Sequence, residues 1–599
     1  FLGYYATRRV DNAKVVLKSR DKVVFEKNVR ISPNEPFAET ITLNGEFKLT
    51  DLYTNLVDVE NDELLVDYQP VELDPVEELP KEWEGYRSPE ELPTVEEVYL
   101  TGKRVEQFYA PRDNEMDWYQ EALRRDPGDI RTNIAVGNHY LKNGDYKNAR
   151  RYLSKAIERL TRDYTRPSTC EALYLQGLTL KALELHDEAI DTLYRATWDY
   201  AYHSAAYLEL AQISTMKGEF NKALSQIEES LSTNTRNNGA IALKTSLLRR
   251  LGRYAQAMEQ MEPIMHVDPL DFRIRNEYYL TLQASGHEEE ARRVLASLDR
   301  DMRNFDENYL DLAVGYIRDG LLQEAKDVLL RFNGYNPMFD YHLGYIADKN
   351  HQEREALQHF KSAAEKSVDY IFPHRLGTIK VLETALKHNP SDGKAYYYMG
   401  NILYEKQPEV AIEHWKRSVE KNPDLAVAFR NLGMGYYRHY QDIPTAISYY
   451  EKAIEVTKDE AIYYTELDDL YELSNAPVEK RLKLFQGQNE VVKQRDDAFI
   501  RQIAVLTLAG LPDRAVEYLK GMEFAYREGS SRVRETTIDA QLMLGKKHLN
   551  DNAPDKALAC FLDAQIPEEE AGSSRMGSRE IQVNYYIGLA HEALGDNAT

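Results

Sequence analysis

With 99 acidic against 75 basic residues in 599, the chain carries a formal net charge of -24, which favours solubility and argues against nucleic acid or an anionic membrane face as a partner. An apolar fraction of 43% beside 29% charged residues belongs to a globular protein, and no apolar run approaches the roughly 20 residues a membrane helix needs. Two distant cysteines, Cys170 and Cys560, exclude a disulfide framework and a cysteine-based zinc site, and leave the compartment open between cytoplasmic and periplasmic or exported.

Residues 1–69 alternate with a period of two. "AKVVLKSR" (13–20), "KVVFEKNVRI" (22–31), "FAETITL" (37–43), "FKLTDLYTNLVDV" (47–59) and "ELLVDYQ" (63–69) are separated by turn-forming "RD", "SPNEP", "NGE" and "END". They predict a small antiparallel β-sandwich of immunoglobulin-like size, read as a spacer because no His, Cys or carboxylate set converges in it. Residues 70–94 follow with Pro70, Pro75, Pro80, Pro89 and Pro93 set among acids, the composition of a semi-rigid linker. Trp83 and Tyr86 are expected to pin it to a neighbouring surface.

From Val95 the period becomes 3.6, and a longer repeat overlies it. Ala149, Ala189, Ala223, Ala257, Ala291 and Ala325 occupy matching places in amphipathic segments, at 34-residue intervals from Ala189 onward. Twelve residues before each stands Gly137, Gly177, Ala211, Thr245, Tyr279 or Ala313, and Gly344 with Ala356 repeats the offset. Gly144, Gly218, Gly252, Gly286 and Gly320 close the first helix of each pair. Antiparallel helices cross closely only where a side chain is nearly absent, which predicts the small residue of helix A facing the alanine of helix B. One pair cannot bury both its faces, so the pairs must stack. The series continues less regularly at Gly400 with Ala411 and at Gly433, then near Ala515, at Gly545 with Ala557, and at Gly588. The last unit, "YYIGLAHEALGDNAT", has a helix A without a helix B, and no Met precedes Phe1. The chain is therefore expected to be a piece of a longer protein.

This spacing resembles the tetratricopeptide repeat over roughly residues 95–599. The resemblance implies a mainly α fold, an α-solenoid wound as a right-handed superhelix. Repeats are expected over 95–456, irregular long helices over 457–500 and further repeats over 501–599. The stretches "YQEALRRDPGDIRTN" (119–133) and "YRATWDYAYHSAAYLELAQI" (194–213) are similar to a bacterial family whose members carry an N-terminal galactose-mutarotase-like domain of unknown function, a small β-sandwich and a repeat array. "LLRRLGRYAQAM" (247–258), "VDPLDFRIRNEYY" (267–279), "KQRDDAFIRQIAVLTLAG" (493–510) and "EGSSRVRE" (528–535) extend the likeness. It implies a link to carbohydrate handling through that N-terminal domain, and no established reaction.

No catalytic constellation emerges from the residues. "GMGYY" (433–437) lies inside a repeat helix without the strand a dinucleotide loop needs. His351 and His359, eight residues apart on a helix, are separated by about 12 Å in rise and cannot share a metal. The carboxylate pairs Asp468–Asp469 and Asp496–Asp497 read as solvated faces. No cofactor and no metal are expected, and the chain itself is read as a non-enzyme.

What remains is a surface. If Gly400 and Gly433 hold the eighth place of their repeats, the helix-A wall presents Lys394, Tyr397, Asn401 and Tyr404, then Val427, Arg430, Met434 and Tyr437, with Asn431 beside them. Rings, an amide and a guanidinium suit an extended peptide or a sugar; the other reading is packing between neighbouring helices. Tyr397 stands where a carboxylate clamp would carry lysine, which argues against such a clamp. Trp198, Tyr200, Tyr202 and His203 crowd one inter-repeat corner with Tyr207 and are read as structural, so that Trp198→Ala would cost roughly 3–5 kcal/mol. The expected function is a protein-interaction scaffold whose groove holds a peptide, a protein partner or its own N-terminal domain. The alternative is the supporting half of a carbohydrate-active enzyme with its saccharide site elsewhere.

Overall fold

The computed structural model describes residues 1–43, 45, 47–72, 82, 84–108, 112–520, 522, 524, 532–565 and 579–596. They fall into two compact units, Phe1–Arg87 and Ser88–Thr599. Trp83 and residues 73–81 of the acidic linker lie outside the described residues; Tyr86 is half-buried.

The first unit contains β1 (Leu2–Tyr4), β2 (Val10–Ser19), β3 (Lys22–Ile31), β4 (Phe37–Glu39), β5 (Leu52–Asp58) and β6 (Glu63–Tyr68). An antiparallel sheet runs in the order β3-β2-β5-β6, and β1 pairs with β4 in a separate ribbon. The alternation places Ala13, Val15 and Leu17 on one buried face, where Val15 stands opposite Leu56 and Leu17 opposite Thr54. Tyr4 and Phe37 of the ribbon close over that face. The second layer is only two short strands, so the unit is smaller than the expected immunoglobulin-like sandwich. The segments 37–43 and 47–59 contribute less ladder than their apolar pattern suggested, because Leu49–Asp51 turns as a short 3-10 helix before β5.

The second unit is helical. Hairpins follow one another: α1 (Val95–Phe108) with α2 (Glu115–Arg125), α3 (Ile130–Lys142) with α4 (Tyr146–Leu160), α5 (Glu171–Ala182) with α6 (His186–Ala196) and α7 (Tyr200–Met216) with α8 (Phe220–Thr233). Next come α9 (Asn238–Arg250) with α10 (Tyr254–Val267), α11 (Phe272–Ala284) with α12 (Glu288–Met302), α13 (Asp306–Arg318) with α14 (Leu322–Arg331) and α15 (Pro337–Lys349) with α16 (Glu353–Glu365). A lone α17 (Gly377–His388) precedes the hairpins α18 (Gly393–Leu403) with α19 (Pro408–Lys421) and α20 (Ala426–Arg438) with α21 (Ile443–Val456). After α22 (Ala461–Leu473) come α23 (Val478–Phe485), α24 (Asn489–Val492), α25 (Asp496–Leu508) and α26 (Pro512–Leu519). The last helices are α27 (Arg532–Asn550), α28 (Pro554–Asp563) and α29 (Glu580–Leu594). Residues 457–500 thus form short helices, not long ones. Pro477, placed before α23, and Gly487, with φ of +77°, interrupt the apolar run there.

Local chemistry sets the helix ends. Asp129, Asn237 and Asp271 cap α3, α9 and α11 by accepting from backbone N–H groups. The five glycines expected to end helix A all take positive φ, between +74° and +84°. The helix-B alanines are buried, Ala149, Ala189, Ala223, Ala257 and Ala325 fully so. Their partners differ from expectation. A Cβ placed at Gly137, Gly344 or Gly433 would come within 2.6 Å of Leu153, Phe360 or Tyr450, one turn beyond the alanine. Gly177, Gly400 and Gly545 meet Leu193, Trp415 and Phe561 in the same way. Helix A loses its side chain to admit a large knob from helix B, and the alanine one turn away lets the backbones approach. Where Tyr279 replaces the small residue, its counterpart Leu295 is left half-buried.

Helix α17 explains the break in the period. Ala356 and Ala411 are 55 residues apart instead of 34. The excess is α17 and the loop before it, and this helix reaches far back along the chain. Leu376 and Ile379 pack at Gly144, and Lys380 lies 3.2 Å from Glu184, which also pairs with Lys349 at 2.5 Å. Gln407 donates to the carbonyl of Asn143 at 2.8 Å, across 264 residues. The array therefore closes one turn upon itself.

Candidate functional site: the helix-A wall

The wall residues of α18 and α20 are tied to one another. Asn401 Oδ1 accepts from Trp415 Nε1 at 3.1 Å and from Asn431 Nδ2 at 2.9 Å. Asn431 Oδ1 in turn accepts from Arg430 at 3.2 Å, and Arg430 grips Glu466 of α22 with two donors, one at 2.7 Å. Burial opposes the Arg430 charge, but Glu466 outweighs it and holds the guanidinium above its ordinary pKa. Tyr397 is 4% exposed, and burial raises its hydroxyl. Lys394 donates to the carbonyl of Lys366, and burial lowers its pKa. Tyr404 packs on Trp415 with ring centroids 5.0 Å apart.

Two features keep an outward aspect. Tyr437 is 37% exposed, and the Arg430 and Glu466 side chains retain 27% and 22% of their surface. The polar groups picked from the sequence therefore lie together but mainly satisfy one another, and the chemistry left to solvent is a paired guanidinium and carboxylate, with a phenol two turns further along α20. Such a set can exchange hydrogen bonds with a peptide backbone or a charged side chain.

A second polar assembly was not foreseen. Between α7 and α14, Arg249 binds Glu277 at 3.0 Å and Glu324 at 2.8 Å, and Arg250 binds Glu324 at 2.6 Å. Arg273 lies over the Tyr316 ring at 3.4 Å and donates to Asp319, which also accepts from Gln212 at 3.0 Å. Glu277 is fully buried and Glu324 nearly so. Burial raises the Glu324 pKa, yet Arg250 and Arg249 outweigh it and leave the carboxyl below its usual range. A repeat-phased signal existed for part of this. Lys181–Glu209 and Arg249–Glu277 are both separated by 28 residues and stand two repeats apart, a cation of one helix A meeting an acid of the next.

The aromatic corner divides. Tyr202 packs on Tyr174 at 5.5 Å, and His203 meets Tyr207 edge-on at 4.7 Å while its Nδ1 lies 3.3 Å from the carbonyl of Thr197. Trp198 and Tyr200 face solvent instead, at 44% and 77% exposure. Asp199 caps α7 and takes the backbone N–H of Cys170, so the chain turns before either ring reaches the core. The large destabilisation expected of Trp198→Ala has no buried ring behind it.

Asp468 also departs from its reading. It is fully buried, held by Arg481 through two 2.8 Å hydrogen bonds and by Arg501 at 2.9 Å, while Asp469 remains 46% exposed. Among the described residues no group of three or more His, Cys, Asp or Glu could hold a metal, and no helix is long and apolar enough to cross a membrane.

Comparison with known proteins gives two family matches. Residues 1–68 match the model of the second domain of YphG-like protein, and residues 129–197 match a tetratricopeptide repeat model. Among solved structures the chain is similar to a tetratricopeptide repeat protein from Parabacteroides merdae, with a TM-score of 0.30 and 19% identity over 43% of this chain and 98% of that one. It is also similar to the Cut9–Hcn1 hetero-tetramer of APC/C, with a TM-score of 0.23 and 14% identity over 70% of this chain and 98% of that one. The helical unit is a tetratricopeptide-like α-solenoid.

Proposed function

We propose that the chain is a non-catalytic scaffold that holds a protein or peptide partner, with the α18–α22 wall as the contact. The observation that carries this reading is the half-open Arg430–Glu466 pair, with the exposed Tyr437 two turns further along α20, in a repeat array whose neighbouring wall positions are already saturated. A partner backbone or an acidic or basic side chain would exchange with that ion pair and cover the Tyr437 ring. Affinity capture with residues 1–599, followed by the same capture with Arg430→Ala and Tyr437→Ala together, tests it. A partner lost by the double variant supports the reading, and a partner retained at full yield removes the wall from it.

A second reading rests on the match of residues 1–68 to a second domain. In it the partner is the chain's own preceding domain, and the array supports a carbohydrate-active centre located there. Saccharide binding by a protein that includes such a domain, together with silence from residues 1–599 in isothermal titration, would favour it over the scaffold.

A further inference from the structure

Helix α4 inverts the charge of its surroundings. In each of the other hairpins from α1 to α21 the second helix holds at least as many acids as lysines and arginines. In α4 five cations, Lys147, Arg150, Arg151, Lys155 and Arg159, stand against the single acid Glu158. Arg150 and Arg159 are engaged by Glu188 and Asp126, at 2.7 and 2.8 Å, and Asp187 at the start of α6 is taken by Lys217. Lys147, Arg151 and Lys155 form no ion pair among the described residues, and all three are exposed. Their spacing of four residues puts them on one stripe of the helix, each about 6 Å further along in rise. Tyr152 borders that stripe. Its half-buried ring stacks on Tyr140 at 5.6 Å and lies 5.6 Å from the Arg151 guanidinium and 5.5 Å from the Lys155 ammonium.

We propose that this stripe docks an extended acidic segment of a partner polypeptide, with carboxylates at alternate residues. Charge complementarity selects that occupant. Along a strand the side chains of one face recur every ~6.6 Å, close to the rise between Lys147, Arg151 and Lys155, so three alternate carboxylates meet three cations. An apolar side chain beside the acids would cover the Tyr152 ring. A long polyanion such as a DNA duplex fits less well. The net charge of -24 repels it beyond the stripe, whereas a short acidic segment ends where the stripe does. The stripe is separate from the α18–α22 wall and does not depend on it.

A short labelled peptide of alternating glutamate and threonine is the probe. Fluorescence anisotropy against residues 1–599 at low ionic strength is expected to show binding that weakens as salt is raised. A glutamine–threonine peptide of the same length, which leaves the protein unaltered, is expected to bind ~10-fold or more weakly, the loss that three exposed pairs imply. Lys147→Glu, Arg151→Glu and Lys155→Glu combined in the chain should do the same with its circular dichroism unchanged. No binding of the glutamate peptide, equal binding of the glutamine peptide, or full binding by the triple variant overturns the proposal. So does tighter binding of a DNA duplex that the triple variant loses, which would give the stripe to nucleic acid.

Discussion

Glycine has opposite meanings at two places in this array. At Gly344 the added methyl of an alanine would press on the Phe360 ring at 2.5 Å, so Gly344→Ala is expected to cost about 1–3 kcal/mol by overpacking. At Gly588 the same change meets no described atom within 4 Å in mid-helix and should gain about 0.5–1 kcal/mol from the lost backbone freedom of the unfolded chain. Urea unfolding of the two variants checks both signs. Trp198→Ala belongs to the same scale. With the ring 44% exposed, the change is expected to cost about 1–2 kcal/mol, short of the roughly 3–5 kcal/mol of a fully buried ring, and a loss in that higher range would put the ring back in the core.

At the scale of elements, α17 is the irregular member, and its ties are ionic and partly exposed. Glu184→Lys would set three cations together where Lys349 and Lys380 now share one carboxylate. The expected result is a larger radius of gyration in small-angle scattering at low salt, with a change in unfolding free energy of only about 0–1 kcal/mol. An unchanged radius would mean that packing at Gly144 and the Gln407–Asn143 hydrogen bond hold the turn without the ion pairs. This element also marks where sequence reading stops. The hairpins were legible because each small residue and its knob lie about 16 residues apart, within one repeat. That Gly400 would meet Trp415, and not Ala411, depends on the lean of side chains along the helix, which spacing alone does not carry. The reach of α17 to Gly144 and Glu184, of Gln407 to Asn143 and of Arg250 to Glu324 was not legible, since such partners are fixed only by how tightly the whole coil winds. The wall was legible in its members but not in its saturation: Asn401, Asn431 and Arg430 were read as suited either to a ligand or to packing between helices, and they are bonded to one another. Trp198 failed for a simpler reason, because aromatic density alone does not say which rings turn inward.

For the whole molecule, acid is the sensitive direction. His342 is buried at 3% exposure with Nδ1 2.7 Å from the carbonyl of Met338, and burial pushes its pKa down from 6.5 to about 4. A histidine whose folded pKa lies below its unfolded value stabilises fully above pH 6.5, and that contribution fades as the unfolded chain takes up protons between pH 6.5 and 4. The loss across this window is roughly 3 kcal/mol from His342, with His414, also pushed down to about 4 by burial, acting in the same direction. Denaturant midpoints measured from pH 7 to pH 4 should fall, and His342→Gln should flatten the fall; a flat parent profile would contradict it. The closed turn has a further consequence under load. Residues 143 to 407 are bound across the coil as well as along it, whereas the hairpins from α20 onward carry no such described tie to the beginning of the array. Pulled from its ends, the array would behave as two springs in series. The later helices would yield first, and the tied segment would stay stiff until its cross-links parted.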